Sequence, residues 1–134
     1  MTAMRFVDSN VLIYGIDDTS PRKAVRAREI LKGDIATSIQ VLQEFYVQAT
    51  RVKRPNRLSH DEAFRFIEDV ALFPVQEMTL AVMRAALRTK QRFQINYWDA
   101  AIIEAARALG CDTVLSEDLS DGQDYGGVRV VNPF

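Results

Sequence analysis

Asp8, Glu44, Asp99 and Asp118 stand where a strand ends or a helix offers a face. Asp8 closes the apolar run Met4-Arg5-Phe6-Val7, and Glu44 lies in the helical stretch from Ile39 to Tyr46. Asp99 opens Tyr97-Trp98-Asp99-Ala100-Ala101-Ile102, and Asp118 follows Thr113-Val114-Leu115-Ser116. Carboxylates drawn together from such distant points repel one another. Each raises the pKa of its neighbours unless a cation neutralises them. Oxygen donors of this kind suit the hard ions Mg²⁺ and Mn²⁺. The chemistry they point to is metal-assisted hydrolysis of a phosphodiester.

Taken singly, each acid has an ordinary structural role. Asp8 is a good cap for a helix beginning near Asn10, and Glu44 reads as an exposed helix glutamate. Asp99 suits the positive end of a helix dipole. Asp118 reads as a loop acid within Ser116-Glu117-Asp118-Leu119-Ser120-Asp121-Gly122. The combination decides. In a doubly wound sheet, ligands bind beyond the carboxyl ends of the strands, where strand order reverses. An acid just after a central first strand sits at that crevice.

The elements that must position these acids alternate short apolar strands with amphipathic helices, which predicts one α/β domain over residues 1–134 with a central parallel sheet flanked by helices. Strands are expected at Met4 to Val7, Ile35 to Thr37, Phe73 to Gln76, Thr113 to Ser116 and Val128 to Val131. A short helix should run from Asn10 to Ile16. Ser20 and Pro21 start the next, which Gly33 ends. The helix carrying Glu44 is expected to reach about Val52. The capping box Ser59-His60-Asp61-Glu62 opens a helix ending near Leu72. Thr79 caps a helix ending near Arg92, and Asn96 precedes one that Gly110 terminates. Leu42, Phe45, Tyr46 and Ala49 form a core stripe at helical spacing, with Glu44 turned away from it. In the last helix, Trp98, Ala101, Ile102, Ala105 and Leu109 should be buried.

The 134 residues suffice for a core without disulfides, and 48% hydrophobic with 26% charged residues is an ordinary globular mix. No apolar run has the length of a membrane span. Asp8 interrupts the one apolar stretch near the N-terminus, so no signal peptide is expected, and Met4 is an alternative start. The single cysteine, Cys111, excludes an internal disulfide and fits a reducing cytoplasm, with a buried structural thiol. A net charge of −1 argues against a general electrostatic nucleic-acid binder. Two basic runs stand out nonetheless: Arg51, Lys53, Arg54 and Arg57, then Arg84, Arg88, Lys90 and Arg92. They are either solvated helix faces or phosphate-binding flanks of an acidic cleft. His60 is the one histidine, so a metal-free ribonuclease with paired histidines is excluded. It belongs on the surface, inside the Ser59 capping box.

Phe6-Val7-Asp8-Ser9-Asn10-Val11-Leu12, Gln43-Glu44-Phe45-Tyr46, Tyr97-Trp98-Asp99-Ala100-Ala101-Ile102 and Leu115-Ser116-Glu117-Asp118-Leu119 resemble the motifs of PIN-domain nucleases. The ending Val130-Val131-Asn132-Pro133-Phe134 is similar to that of small bacterial PIN toxins of the VapC type. The resemblance implies an endoribonuclease that uses Mg²⁺ or Mn²⁺, forms a homodimer and is silenced by a co-expressed antitoxin protein. Position by position, Asp8, Glu44, Asp99 and Asp118 match the family's acidic quartet. Asn10 matches the polar residue after the first acid, and Ser116 the hydroxyl residue before the last. On this reading Asp8 and Asp99 are the principal ligands, and Glu44 and Asp118 complete the set directly or through water. Asn10 and Ser116 orient them from behind. Water attacks an RNA phosphodiester, leaving 5′-phosphate and 3′-hydroxyl ends. Glu117 and Asp121 are open as additional metal contacts. An antitoxin segment bearing arginine or lysine would pair with the acids, with Val25, Phe45 or Tyr46 offering an apolar docking surface.

Other classes fit less well. A phosphate-accepting receiver domain needs a further strand-end aspartate and a late lysine, and no lysine follows Lys90. A PIN-like fold acting as a non-catalytic binding module would be favoured by loss of a quartet acid, and all four are present. A PIN-fold DNA nuclease or structure-specific nuclease is the nearer rival, although larger flap enzymes add helical clamps that this chain lacks.

Overall fold

The structure is a computed structural model describing residues 4–134, so the suggested start at Met4 concerns residues outside the described ones. Five strands and six helices alternate through these residues. β1 (Arg5–Val7) leads into α1 (Ser9–Ile16) and α2 (Pro21–Leu31). β2 (Ile35–Ser38) runs into α3 (Ile39–Ala49), and α4 (His60–Val70) precedes β3 (Val75–Gln76). The helical hairpin α5 (Leu80–Phe93) and α6 (Tyr97–Ala108) leads to β4 (Thr113–Leu115) and β5 (Arg129–Val131).

The sheet order is β3-β2-β1-β4-β5, and every pairing is parallel. β1 is therefore central, with Phe6 opposite Ala36 on one side and Val114 on the other. Strands covered on both faces read as short continuous apolar runs. Phe6, Val7, Val114 and Val130 are accordingly inaccessible to solvent and pack with Leu12, Ile30, Phe45 and Ile103. Chain order reverses on either side of β1, which places the crevice just beyond Val7. The Asp8 backbone N–H donates to the Leu115 carbonyl at 3.0 Å, so the residues following β1 and β4 meet there.

Side-chain caps start each described helix but α2, whose expected cap Ser20 makes no side-chain cap bond. Ser38, Thr79 and Asn96 each accept from the backbone N–H three residues on, and Ser59 forms the complete capping box with Glu62. Pro21 occupies the first turn of α2, where its missing N–H costs nothing.

Several boundaries differ from expectation. α3 stops at Ala49 rather than Val52, because Thr50 leaves the helical conformation and its hydroxyl donates back to the Tyr46 carbonyl at 2.7 Å. β3 is confined to Val75–Gln76. Phe73 N–H closes the end of α4 by donating to Val70, and Pro74 has no N–H to give a ladder. The burial expected of Trp98 is wrong: it is 65% exposed, its indole meeting the Tyr97 ring edge-on. Helical spacing assigns a face, but the first turn of α6 has too little packed against that face to cover an indole. The seam between α5 and α6 is instead made by Ala86, Ala100 and Ala101, whose small side chains permit close approach. Cys111 is buried as expected, and burial pushes its thiol pKa up.

Candidate active site

Asp8 is the buried centre of the site, 6% exposed. Its two oxygens are used differently. Oδ1 accepts from the Ser9 backbone N–H at 2.7 Å, capping α1, while Oδ2 accepts from the Ser116 hydroxyl at 2.7 Å. The capping role and the role at the crevice are thus filled by one side chain. Its pKa is pushed up to about 6. Burial is the main cause; the hydrogen bonds from Ser116 and Ser9 oppose it, and the nearby charges of Glu44 and Asp118 add to it.

The other three acids arrive from separate elements. Glu44, half-buried on α3, accepts from the Ser9 hydroxyl at 3.3 Å and from the Gln40 amide at 3.2 Å. Asp99, in the first turn of α6, accepts from the Asn96 side-chain amide at 2.8 Å. Its pKa is raised, mainly by burial, with Asn96 opposing and the charge of Asp118 adding. Asp118 is exposed on the loop after β4. The Asn10 amide donates to it at 3.2 Å, and its backbone N–H donates to the Ser116 hydroxyl at 3.1 Å. Ser9 bonds both Asp8 and Glu44, Ser116 and Asn10 link Asp8 to Asp118, and the charge of Asp118 is felt at Asp99, so the four expected acids lie near one another.

Asn10 and Ser116 form the brace between β1 and β4. Asn10 donates to Ser116 Oγ at 3.2 Å, and its carbonyl accepts from the Glu117 backbone N–H at 3.1 Å. Ser116 is fully buried. Glu117 points elsewhere: Lys23 and the Tyr14 hydroxyl both bond its carboxylate. Burial works to raise its pKa, but those two bonds hold it below the usual range. Asp121 accepts from the Asn132 backbone N–H at 2.9 Å and so holds the C-terminal segment.

Sequence reading passed over three residues that touch the quartet. Ser9 lies between the two motif residues Asp8 and Asn10, and Asn96 stands three residues before Asp99, the spacing of an N-cap. Those signals were legible. Gln40 was not: its amide donates both to Glu44 and, at 3.3 Å, to the carbonyl of Trp98, tying α3 to the turn that carries Asp99. Its Oε1 is buried without a partner, so the amide is aimed by two acceptors and leaves one acceptor unused.

The donor chemistry of the cleft fits a hard divalent cation. The four acids are oxygen donors, and the pKa values of Asp8 and Asp99 are raised in the sense that a cation would relieve. As the side chains stand, no three His, Cys, Asp or Glu residues among the described ones are arranged to hold a metal ion.

The sequence profile of the PIN domain matches residues 5–120. The chain belongs to the PIN-domain family. This PIN domain is similar in fold to a toxin–antitoxin complex from Klebsiella pneumoniae, with 17% identity, TM-score 0.69, and 97% of this chain and 98% of that one covered. It is also similar to VapC20 of Mycobacterium tuberculosis, described as a toxin that cleaves the sarcin–ricin loop. There the identity is 19%, the TM-score 0.66, and the coverage 85% of this chain and 91% of that one. A DNA-bound VapBC from Salmonella typhimurium aligns with 16% identity and TM-score 0.69 over 99% of this chain and all of that one. No curated protein matched the sequence. The PIN family is a nuclease family, so the cleft is a candidate site for hydrolysis of nucleic acid. No helix of the described residues is long and apolar enough to cross a membrane.

Proposed function

We propose that this PIN domain is a Mg²⁺- or Mn²⁺-dependent endoribonuclease and the toxin of a toxin–antitoxin pair. The observation that carries the nuclease reading is the convergence of Asp8, Glu44, Asp99 and Asp118 beyond the carboxyl ends of β1 and β4. Bound there, the ion would supply a water-derived nucleophile at neutral pH and offset charge developing on the phosphate. Asp8 and Asp99 are the principal ligands in this reading, and Glu44 and Asp118 complete the set directly or through water. Ser116 and Asn10 hold Asp8 and Asp118 in place by the hydrogen bonds described above. Asp8 must give up its proton to serve as a ligand, which its pKa of about 6 permits at neutral pH. In-line attack of water with departure of the 3′ oxygen leaves 5′-phosphate and 3′-hydroxyl ends.

The toxin reading is supported by the toxin–antitoxin proteins among the similar folds. An antitoxin segment would place a basic side chain on the acids and apolar side chains against α3, where Val47 is exposed and Tyr46 half-buried. Val25 is exposed and available to the same partner, whereas Phe45 is wholly buried and belongs to the core. A homodimer is supported by Leu80, Met83 and Leu87, exposed along the face of α5 opposite its buried Val82, Ala86 and Thr89.

The test is to sequence the ends of RNAs cut by the purified, partner-free protein. Fragments with 5′-phosphates, abolished by EDTA and by Asp99→Asn, are expected. Primary products ending in 2′,3′-cyclic phosphates would overturn the mechanism, and cleavage of DNA alone would overturn the substrate. The toxin reading expects poor growth on expression of this chain alone and rescue by a small protein encoded beside it. Harmless high-level expression of active enzyme would refute that part.

A further inference from the structure

The two basic runs of the sequence do not occupy equivalent places. Arg88 and Arg92 line a pocket of about 330 Å³ with Thr89, Glu104 and Arg107, and no quartet acid borders it. Arg107 follows Asp99 by eight residues, about 12 Å along α6 at ~1.5 Å per residue. The run after α3 is different. A pocket of about 450 Å³ is lined by Gln48, Arg51, Lys53, Arg54 and Pro55. A second, of about 270 Å³, is lined by Gln43, Glu44, Val47, Gln48 and Arg51. They share Gln48 and Arg51, so the two hollows adjoin, with Glu44 bordering one and the basic loop the other.

Glu44, Gln48 and Arg51 stand at i, i+4 and i+7, and so stack along one face of α3 and its end. The seven-residue separation is about 10 Å. The loop that carries the cations is fixed. Arg54 is ion-paired with Asp17 at the end of α1, the Arg54 N–H donates to Arg51, and Leu58 N–H returns to Ala49 at 2.9 Å. Among the described residues, neither Arg51 nor Lys53 has a carboxylate within ion-pairing distance, and both are exposed. Two unneutralised cations on an anchored loop, beside a hollow that Glu44 borders, match a ligand with repeated negative charges.

We propose that the groove made by these two hollows carries the phosphate backbone of single-stranded RNA on one side of the cleaved bond, with Arg51 and Lys53 as its phosphate contacts. The inference rests on the nuclease reading and adds the path of the substrate. Gln48, between the acid and the cations, lies against the intervening sugar or base.

Binding of a fluorescein-labelled single-stranded RNA of twelve nucleotides would be measured by anisotropy in EDTA over a range of salt, with cleavage measured separately in Mg²⁺. The neutral double variant Arg51→Gln/Lys53→Gln should bind roughly tenfold more weakly at low salt. Its slope of log affinity against log salt should fall by about 1.4, because each lost single-strand phosphate contact removes ~0.7. In cleavage, KM should rise while kcat is kept. Arg88→Gln/Arg92→Gln is the comparison and should change the slope much less. Thermal melts of both variants establish that they are folded. If wild type neither binds nor cuts RNA, the endoribonuclease reading itself fails. If wild type cuts RNA and the Arg51/Lys53 variant keeps its affinity and slope, the groove assignment fails alone. Unchanged RNA binding with loss of a co-purifying protein would also overturn it, in favour of an acidic partner on the loop.

Discussion

Replacement of Asp8 by Asn should stabilise the isolated protein at neutral pH while abolishing its activity. In the fold, the Asp8 pKa stands at about 6 against an ordinary 3.8. A raised carboxyl pKa means that the unfolded chain ionises first as pH rises. The folded state then binds the extra proton, so stability falls between about pH 4 and pH 6 and stays reduced above. Two pKa units at ~1.4 kcal/mol each put the penalty of ionised Asp8 near 3 kcal/mol. The amide removes that penalty but has one oxygen for two donors, the Ser9 N–H and the Ser116 hydroxyl, so one of the two bonds is lost. Losing that bond costs ~1 kcal/mol. The net expectation in EDTA is about 2 kcal/mol of added stability at pH 8, and about 1 kcal/mol of lost stability at pH 3.5, where Asp8 is protonated in the fold and mostly protonated in the unfolded chain. Urea unfolding of both proteins, followed by circular dichroism at the two pH values, measures this directly. Added Mg²⁺ should stabilise wild type and leave the variant unmoved. A variant less stable than wild type at pH 8 in EDTA, or a difference independent of pH, would refute the account of Asp8.

Ser116→Ala removes the main bond that lowers the Asp8 pKa. The acid limb of the pH–activity profile should therefore shift to higher pH, with a weaker apparent Mg²⁺ affinity near pH 6.5 than near pH 8. Arg107→Ala strips the buried carboxylate of Glu104, 5% exposed, of its cation and leaves only the Thr89 hydroxyl. A loss of roughly 3 kcal/mol in unfolding free energy is expected, and Arg107→Ala combined with Glu104→Gln should recover much of it. Cys111 should react with a thiol reagent at the rate of unfolding rather than of encounter, because burial shields it and raises its pKa. Fast labelling of the folded protein would contradict that burial.

Much of the architecture was legible because it depends on local chemistry. The caps Thr79 and Asn96, the Ser59 box and Pro21 act within one turn, so their residue types announce helix starts directly. The apolar runs Phe6-Val7 and Val114-Leu115 announce covered strands for the same reason. The motif order also placed Asp8, Glu44, Asp99 and Asp118 on the elements that carry them. What local chemistry could not decide was how neighbouring elements cover one another. Trp98 has the spacing of a core residue and is exposed, because burial depends on what another segment puts over it. Glu117 and Asp118 are adjacent acids, yet Lys23 and Tyr14 claim the first and Asn10 the second, from helices distant in sequence. Gln40 bonds Glu44 one helical turn away, but its bond to the Trp98 carbonyl exists because α3 and α6 meet. The two basic runs look alike as sequence and differ in space, one adjoining a hollow that Glu44 borders and the other set against Glu104. Capping and hydrophobic period are set by residues within a turn of one another, whereas pairing, burial and the raised pKa of Asp8 depend on distances that exist once the sheet has closed.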